Sequence, residues 1–272
     1  MGYLFIILMI VLVIIVFTNL SLSSPASRSD KGAAGERRLE SALGSIKSHG
    51  IKGYSLSNVY VPRKNGSTSE IDLLYITSRG LFVIESKNFS GYIFGHENRR
   101  NWTCTLPSEY KGRINKYKFF NPIWQNKSHI NALKNYCGDV VTYSIIAFSD
   151  NCELMDVTCD PNHVTICHYS QFKKEIKRLW NEATERYSAE EVEELYQKLD
   201  LLDKSPETMG KHLDYAKNGN KSGLCPACGQ PLVIRTARKG PNAGNQFYGC
   251  SNYPKCNYTQ NIPQEGGAFT EE

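Results

Sequence analysis

Glu70–Asn88, E-I-D-L-L-Y-I-T-S-R-G-L-F-V-I-E-S-K-N, is the stretch whose reading decides the fold. Its apolar runs Leu73–Ile76 and Leu81–Ile84 flank the turn signal Ser78-Arg79-Gly80 and predict two short strands joined as a hairpin. Both runs are continuous rather than alternating, the pattern of central strands covered on two faces. Three charged residues lie in or against them: Asp72, Glu85 and Lys87. Charges at the ends of buried strands are costly unless they are paired or bind something. The i, i+2 spacing puts Glu85 and Lys87 on one face, and hairpin pairing brings Asp72 near it.

Two carboxylates and a lysine around one point suit metal-assisted phosphodiester hydrolysis. Mg²⁺ prefers oxygen ligands and commonly takes one or two carboxylates, leaving its other positions to water and substrate phosphate. Such a metal is a Lewis acid that lowers the pKa of bound water, and a nearby lysine orients that water or offsets phosphate charge. The competing reading is a strand-end ion pair between Glu85 and Lys87 with no further role, since short patterns of this kind recur by chance.

Outward from the hairpin, Ser55–Val61 reads as a strand. Before it, Lys31–Glu40 opens a helix with Leu39, Leu43 and Ile46 at helical spacing and an end near Gly50. Glu36 falls in its first turn, where a carboxylate also simply complements the helix dipole. After the hairpin, Gly91–Glu97 and Asn101–Leu106 read as strands. Asn121–Asn126 begins a second helix with Pro122 in its first turn, and Val140–Phe148 is a buried strand. The order predicts a mixed α/β domain of roughly 130 residues, a normal single-domain size.

Four blocks in this order carry a family resemblance: A-G-E at Ala34–Glu36, E-I-D at Glu70–Asp72, L-F-V-I-E-S-K-N at Leu81–Asn88 and N-P-I-W-Q-N at Asn121–Asn126. Together they resemble the nuclease-related domain family over approximately residues 32 to 150. The resemblance implies a restriction-endonuclease-like mixed-sheet core, assigned here to residues 32–168. It implies Asp72 and Glu85 as ligands of Mg²⁺ or Mn²⁺, with the Ser86 carbonyl as a candidate third. Lys87 would position the attacking water, Glu36 would reach the metal from its helix, and Gln125 would line the site.

The chain has 272 residues, 40% of them hydrophobic, and a net charge of +5, compatible with nucleic acid without being evidence for it. Tyr3–Phe17 carries no charge, and Thr18-Asn19-Leu20 extends the run to close to the ~20 residues that span a bilayer core. A cleaved signal peptide would want basic residues before the run and a small-residue cleavage pattern, and both are missing. Arg28, Lys31, Arg37 and Arg38 follow it instead. Residues 1–20 are therefore expected to be a single-pass anchor in the inner, cytoplasmic membrane, amino terminus outside and the rest in the cytoplasm. Residues 21–31 read as a juxtamembrane linker. Residues 169–202 read as a helical segment with a capping box at Ser188–Glu191 that either packs on the domain or acts as a spacer. Residues 203–223 read as a flexible linker and 262–272 as a disordered tail.

Four of the nine cysteines form C-x2-C-x21-C-x5-C: Cys225, Cys228, Cys250 and Cys256. Two such pairs are a strong zinc signal, because tetrahedral Zn²⁺ takes four soft ligands. About 35 residues cannot bury a sufficient core unaided, so one Zn²⁺ would supply folding energy to a small zinc ribbon over 224–261. The other five cysteines show no framework spacing and read as reduced thiols. Cys159, His163, Cys167 and His168 could form a second zinc site, but their spacing resembles no closed finger.

Residues 221–261 contain five Lys/Arg and no Asp or Glu. Arg235, Arg238, Lys239 and Lys255, interleaved with Phe247, Tyr248 and Tyr253, suit single-stranded nucleic acid, cations on phosphates and rings on bases. One or two of the rings are expected to fill the small core instead. The stretch F-Y-G-C-S-N-Y-P-K-C, Phe247–Cys256, is similar to the carboxy-terminal zinc finger of bacterial type IA DNA topoisomerases. That resemblance implies DNA binding alone, since the rest of a topoisomerase is absent.

These readings combine into a membrane-anchored, cytosol-facing, metal-dependent DNA nuclease with no small-molecule cofactor. The alternative is a non-catalytic DNA tether at the membrane or a DNA-processing accessory protein, which an anchor fits at least as well. An RNA nuclease is a third option. Cleavage that needs Lys87 separates them.

Overall fold

The computed structural model describes residues 28–64, 66–108, 113–202, 224–225, 228, 230–239 and 243–261. The apolar stretch 1–20, the linker 203–223 and the tail 262–272 lie outside the described residues. No helix among the described residues is long and apolar enough to cross a membrane.

The central hairpin forms as its apolar runs predict. Strands β1 (Tyr54–Pro62), β2 (Thr68–Thr77) and β3 (Gly80–Lys87) make an antiparallel meander, to which β7 (Thr142–Phe148) and β9 (Thr165–His168) add in parallel. The sheet order is β1-β2-β3-β7-β9. Gly80 closes the β2–β3 turn at φ +142°, where a Cβ would meet the Tyr143 ring.

Helices on both faces explain why the hairpin is continuously apolar. Leu73, Tyr75, Phe82 and Ile84 face α1 (Arg28–Ser48) and α3 (Phe172–Glu182), through Leu39, Leu43, Phe172 and Ile176. Leu74, Ile76, Leu81 and Val83 face α2 (Pro122–Cys137) and α4 (Ala189–Asp200), through Leu133, Val192 and Leu199. Burying both sides removes the alternation that a half-buried strand would show. The segment 169–202 is thus packed into both layers and is no spacer. Its capping box is present, Ser188 Oγ accepting from the Glu191 N–H and Glu191 from the Ser188 N–H. Helix α1 starts at Arg28, inside the stretch read as linker.

A second sheet, ordered β6-β5-β4-β8, joins β4 (Gly91–His96), β5 (Asn101–Pro107), β6 (Ile114–Phe120) and β8 (Cys152–Thr158). Ile93, Trp102 and Cys104 on its inner face pack on Ile146 and Phe148 of the first sheet. Strands β6, β8 and β9 were not legible in the sequence. β6 exposes nearly every side chain, β9 has four residues, and β8 carries no clean alternation.

At the carboxy-terminal end β10 (Leu232–Thr236), β11 (Gln246–Cys250) and β12 (Thr259–Asn261) form a small antiparallel sheet. Cys225 and Cys250 are the only apolar side chains fully buried among its described residues.

Candidate active site and metal centre

The site starts where the hairpin ladder ends. β2 and β3 pair as far as Leu73–Ile84 and then part, while β3 stays paired with β7 through Lys87–Phe148. The Ser86 N–H, left without a strand partner on the β2 side, is taken by Asp72 Oδ2 at 2.8 Å. Lys87 Nζ donates to Glu85 Oε1 and, at 3.1 Å, to Gln125 Oε1 of α2. Glu85, Lys87, Asp72 and Gln125 are thus brought together.

The other Glu85 oxygen lies 3.1 Å from His129 Nε2, and His129 Nδ1 lies 2.7 Å from Ser69 Oγ, which also accepts from Arg63 at 2.8 Å. An ionised carboxylate only accepts, so Nε2 carries the proton, and in the neutral ring Nδ1 accepts from Ser69. Sequence reasoning missed His129, yet the signal was there. It follows Gln125 by four residues on α2 and so shares its face.

Glu36 enters from α1 because of its neighbour. A Cβ on Gly35 would lie 2.4 Å from the Tyr169 hydroxyl and 3.2 Å from Ser86 Oγ. Only glycine lets α1 come this close to the end of β3. Tyr169 in turn hydrogen-bonds Ser86 Oγ at 2.7 Å, and burial, with the charges of Asp72 and Glu36, pushes its pKa to about 12. Nothing local in the sequence marks Tyr169, whose hydroxyl partner Ser86 lies 83 residues away.

The electrostatics are those of crowded carboxylates with one close ammonium. Burial raises the Asp72 carboxyl well above its ordinary range, and the charges of Glu85 and Glu36 add to this, against Lys87 and the Ser86 N–H. Burial would raise Glu85 too, but Lys87 and His129 outweigh it and hold that carboxyl low. Burial disfavours the Lys87 charge, yet Glu85 and Asp72 hold its pKa up. Glu36 is raised by burial and by Glu70, Glu40 and Glu85, against a hydrogen bond from Asn58. A divalent cation beside Asp72 and Glu85 would relieve this repulsion, and oxygen donors of this type suit Mg²⁺ or Mn²⁺, whereas the oxygens of Glu36, Asp72 and Glu85 do not all come within 4.8 Å of one another.

The N-P-I-W-Q-N block aims α2 at the site. Asn121, fully buried, accepts from the Ile123 N–H as the helix cap and donates to the carbonyls of His96, Glu97 and Arg99. Asn126 donates to the Val83 carbonyl and Ser144 Oγ. These anchors fix Gln125 between them. Beside it runs a groove of about 550 Å³. Arg63, Trp124, Lys127, Lys134, Lys255 and Tyr258 line it, with no acidic residue in its lining.

The four cysteines converge. Their sulfurs all lie within 4.8 Å of one another, and among the described residues no other group of three or more His, Cys, Asp or Glu ligand atoms does so. Cys225 Sγ lies 3.7 Å from Cys256 Sγ, and Cys228 Sγ 3.3 Å from Cys250 Sγ. The donor set is that of structural Zn²⁺. The suggested second zinc site does not form: Cys167 is buried in the α1–α3 core and His163 is exposed beside Asp160. The remaining cysteines are free thiols.

The residues expected to touch DNA separate into two groups. Arg238, Lys239 and Lys255 are exposed, as is Tyr253. Arg235 is turned inward, donating to the Cys250 carbonyl at 3.1 Å and lying over the Tyr253 ring. Phe247 and Tyr248 are half-buried in the finger.

Comparison with known proteins agrees with both halves. An uncharacterized protein from Bacillus anthracis is 29% identical over 192 residues, 69% of this chain and 84% of that protein. DNA topoisomerase 1 of Archaeoglobus fulgidus is 50% identical over 47 residues, 17% of this chain and 6% of that enzyme. DNA topoisomerase 1 of Pyrococcus furiosus is 48% identical over 44 residues, 16% and 4% respectively. The chain therefore spans only a small part of the topoisomerases it matches. No solved structure matches it. Residues 31–149 match the model of the nuclease-related domain, and residues 222–265 match that of the topoisomerase DNA binding C4 zinc finger.

Proposed function

We propose that the protein is a metal-dependent DNA nuclease, held at the cytoplasmic membrane by residues 1–20, with a zinc finger that grips single-stranded DNA. The observation that carries the nuclease reading is the convergence of Asp72, Glu85, Lys87 and Gln125 where the β2–β3 ladder parts. The core is read as restriction-endonuclease-like.

Asp72 and Glu85 would hold Mg²⁺ or Mn²⁺, with Glu36 completing the acidic set. The metal would supply Lewis-acid stabilisation of the phosphate and a more acidic water. Lys87, kept protonated by Glu85 and Asp72, orients the attacking water and offsets charge on the phosphate. Gln125 and Glu85 fix the position of its ammonium. His129 holds the far oxygen of Glu85, so the carboxylate keeps one orientation. The basic, acid-free groove beside Gln125 supports a polyanionic substrate over a small phosphoester.

One observation favours a second reading, a DNA tether that cuts nothing. Both Glu85 oxygens already have partners, as a purely structural ion pair would. The deciding experiment incubates the purified protein, wild type beside Lys87→Ala and Asp72→Ala, with single- and double-stranded DNA in Mg²⁺, Mn²⁺ or EDTA. Cleavage by wild type that both substitutions abolish, with binding retained, is expected. Binding without cleavage under every condition would leave the tether.

A further inference from the structure

The second sheet has one face in the core and the other in solvent. On the open face Tyr92 and Phe94 of β4 are 42% and 37% exposed. The register sets Tyr92 beside Thr105 and Lys116, and Phe94 beside Thr103 and Lys118, in two parallel rows. Each ring thus lies two strand spacings, roughly 10 Å, from an exposed lysine on edge strand β6. Phe120, 43% exposed, extends the β6 side and meets Trp124 edge-on at 6.3 Å. Trp124 precedes Gln125, the partner of Lys87. On the opposite edge β8 puts Glu153 beside Tyr92 and Asp156 beside Phe94.

We infer that this open face is a second nucleic-acid-binding surface, distinct from the zinc finger, that holds a single strand. Bases stack on Tyr92 and Phe94, and the phosphate backbone follows Lys116 and Lys118. The chemistry selects this occupant. Flat, exposed rings on a sheet accept unstacked bases, which a duplex keeps to itself. Exposed lysines in the same rows as the rings, two strands across, are the reverse of a protein interface, from which lysine is depleted. Glu153 and Asp156 repel phosphate from the β8 edge, so the backbone keeps to β6 and the strand has one lateral position. Phe120 and Trp124 then lead it toward Lys87. That last step rests on the nuclease reading, whereas the binding surface does not.

The test measures binding of a fluorescent thymidine homopolymer to the full chain at several salt concentrations. Every arm carries Lys87→Ala so that no strand is cut. Because all arms share that substitution, the comparison between them stands whether or not the protein is a nuclease. Tyr92→Ala/Phe94→Ala is expected to weaken binding at least about tenfold. Lys116→Ala/Lys118→Ala is expected to lower the slope of log K against log salt by about 1.4, two phosphate contacts fewer. Unchanged affinity and slope overturn the inference, as does equal loss of duplex binding in both variants. Unchanged affinity with a dimer lost on sedimentation overturns it in favour of a second copy on this face. Should either variant lose its fold by circular dichroism, the Lys87→Ala chain is photo-crosslinked to an iodouracil-substituted oligonucleotide. Crosslinks at Tyr92, Phe94 or Phe120 support the surface, and crosslinks confined to residues 224–261 overturn it.

Discussion

Strand β3 reaches Glu85 with every residue from Gly80 onward buried, whereas among the described residues of 224–261 only Cys225 and Cys250 are fully buried apolar side chains. The first region sets its charged groups on a core that exists without metal. There Lys87 offsets acidic charge and His129 hydrogen-bonds the far oxygen of Glu85. The second has little besides its ligands to hold it. A metal at the first would be a working part on a finished scaffold, and at the second it is the scaffold. Ligand chemistry alone does not reveal this difference; the burial around the ligands does.

The comparison is most exposed to zinc removal. Structural zinc in finger peptides contributes about 10–16 kcal/mol of binding free energy that doubles as folding free energy. Chelation, or Cys228→Ser/Cys256→Ser, should erase amide protection in β10 and β11 while β2 and β3 keep theirs. Hydrogen exchange read by mass spectrometry resolves the two regions. Protection that persists in β10–β11 without zinc would show that the small sheet holds itself together, and the contrast would collapse.

Next in size is Lys87. Lys87→Ala leaves Glu85, 1% exposed, with the His129 hydrogen bond and no ammonium beside it. Breaking a buried pair from one side costs about 3–5 kcal/mol, and loss of a group that stabilises transition-state charge costs roughly 10²–10³ in rate. Replacing both members, Glu85→Gln with Lys87→Met, should recover most of the stability and none of the cleavage. Thermal unfolding beside a nuclease assay separates the two effects. A double variant no more stable than Lys87→Ala would mean that the pair does not account for the loss.

Gly35→Ala is smaller and tests how Glu36 is delivered. The added methyl meets the Tyr169 hydroxyl, and overpacking of this kind costs typically about 1–3 kcal/mol. Tyr169→Phe in the same chain removes the clashing oxygen and should restore part of the loss in melting temperature. If Gly35→Ala melts like wild type, α1 has room to move and Glu36 is not held by this contact.

The same residues show what the sequence could yield. The hairpin was legible because helices on both faces turn β2 and β3 into continuous apolar blocks, and the cysteine spacing because zinc geometry leaves little freedom. Glu85, Lys87 and Asp72 followed from strand periodicity, and Gln125 from the family resemblance. Helix spacing alone would have exposed His129. Tyr169 and the Gly35 contact rest on packing between elements far apart in the chain, which no local pattern records. β6 was invisible for a different reason. Its side chains face solvent, so no hydrophobic period marks it, and its strand form comes from the ladder with β5.

The smallest effect probes the rim of the metal-independent core. Asp150 pairs with Arg38 of α1 and accepts from the Ser170 N–H at 2.9 Å, next to Tyr169. Burial would raise its carboxyl, but the Ser170 hydrogen bonds and then Arg38 outweigh that and hold it below 3.8. A depressed carboxyl contributes stability that is fully present above the ordinary value and is lost as pH falls through the folded-state value. Asp150→Asn should therefore melt lower than wild type near neutral pH and converge with it as the pH falls through the lowered folded-state value. For a partly exposed pair the gap is about 1 kcal/mol or less. A gap that stays constant as the carboxyl is titrated would assign the contribution to side-chain shape and not to charge. It would also remove Asp150 from the contacts that keep α1 against the end of β3 without help from a metal.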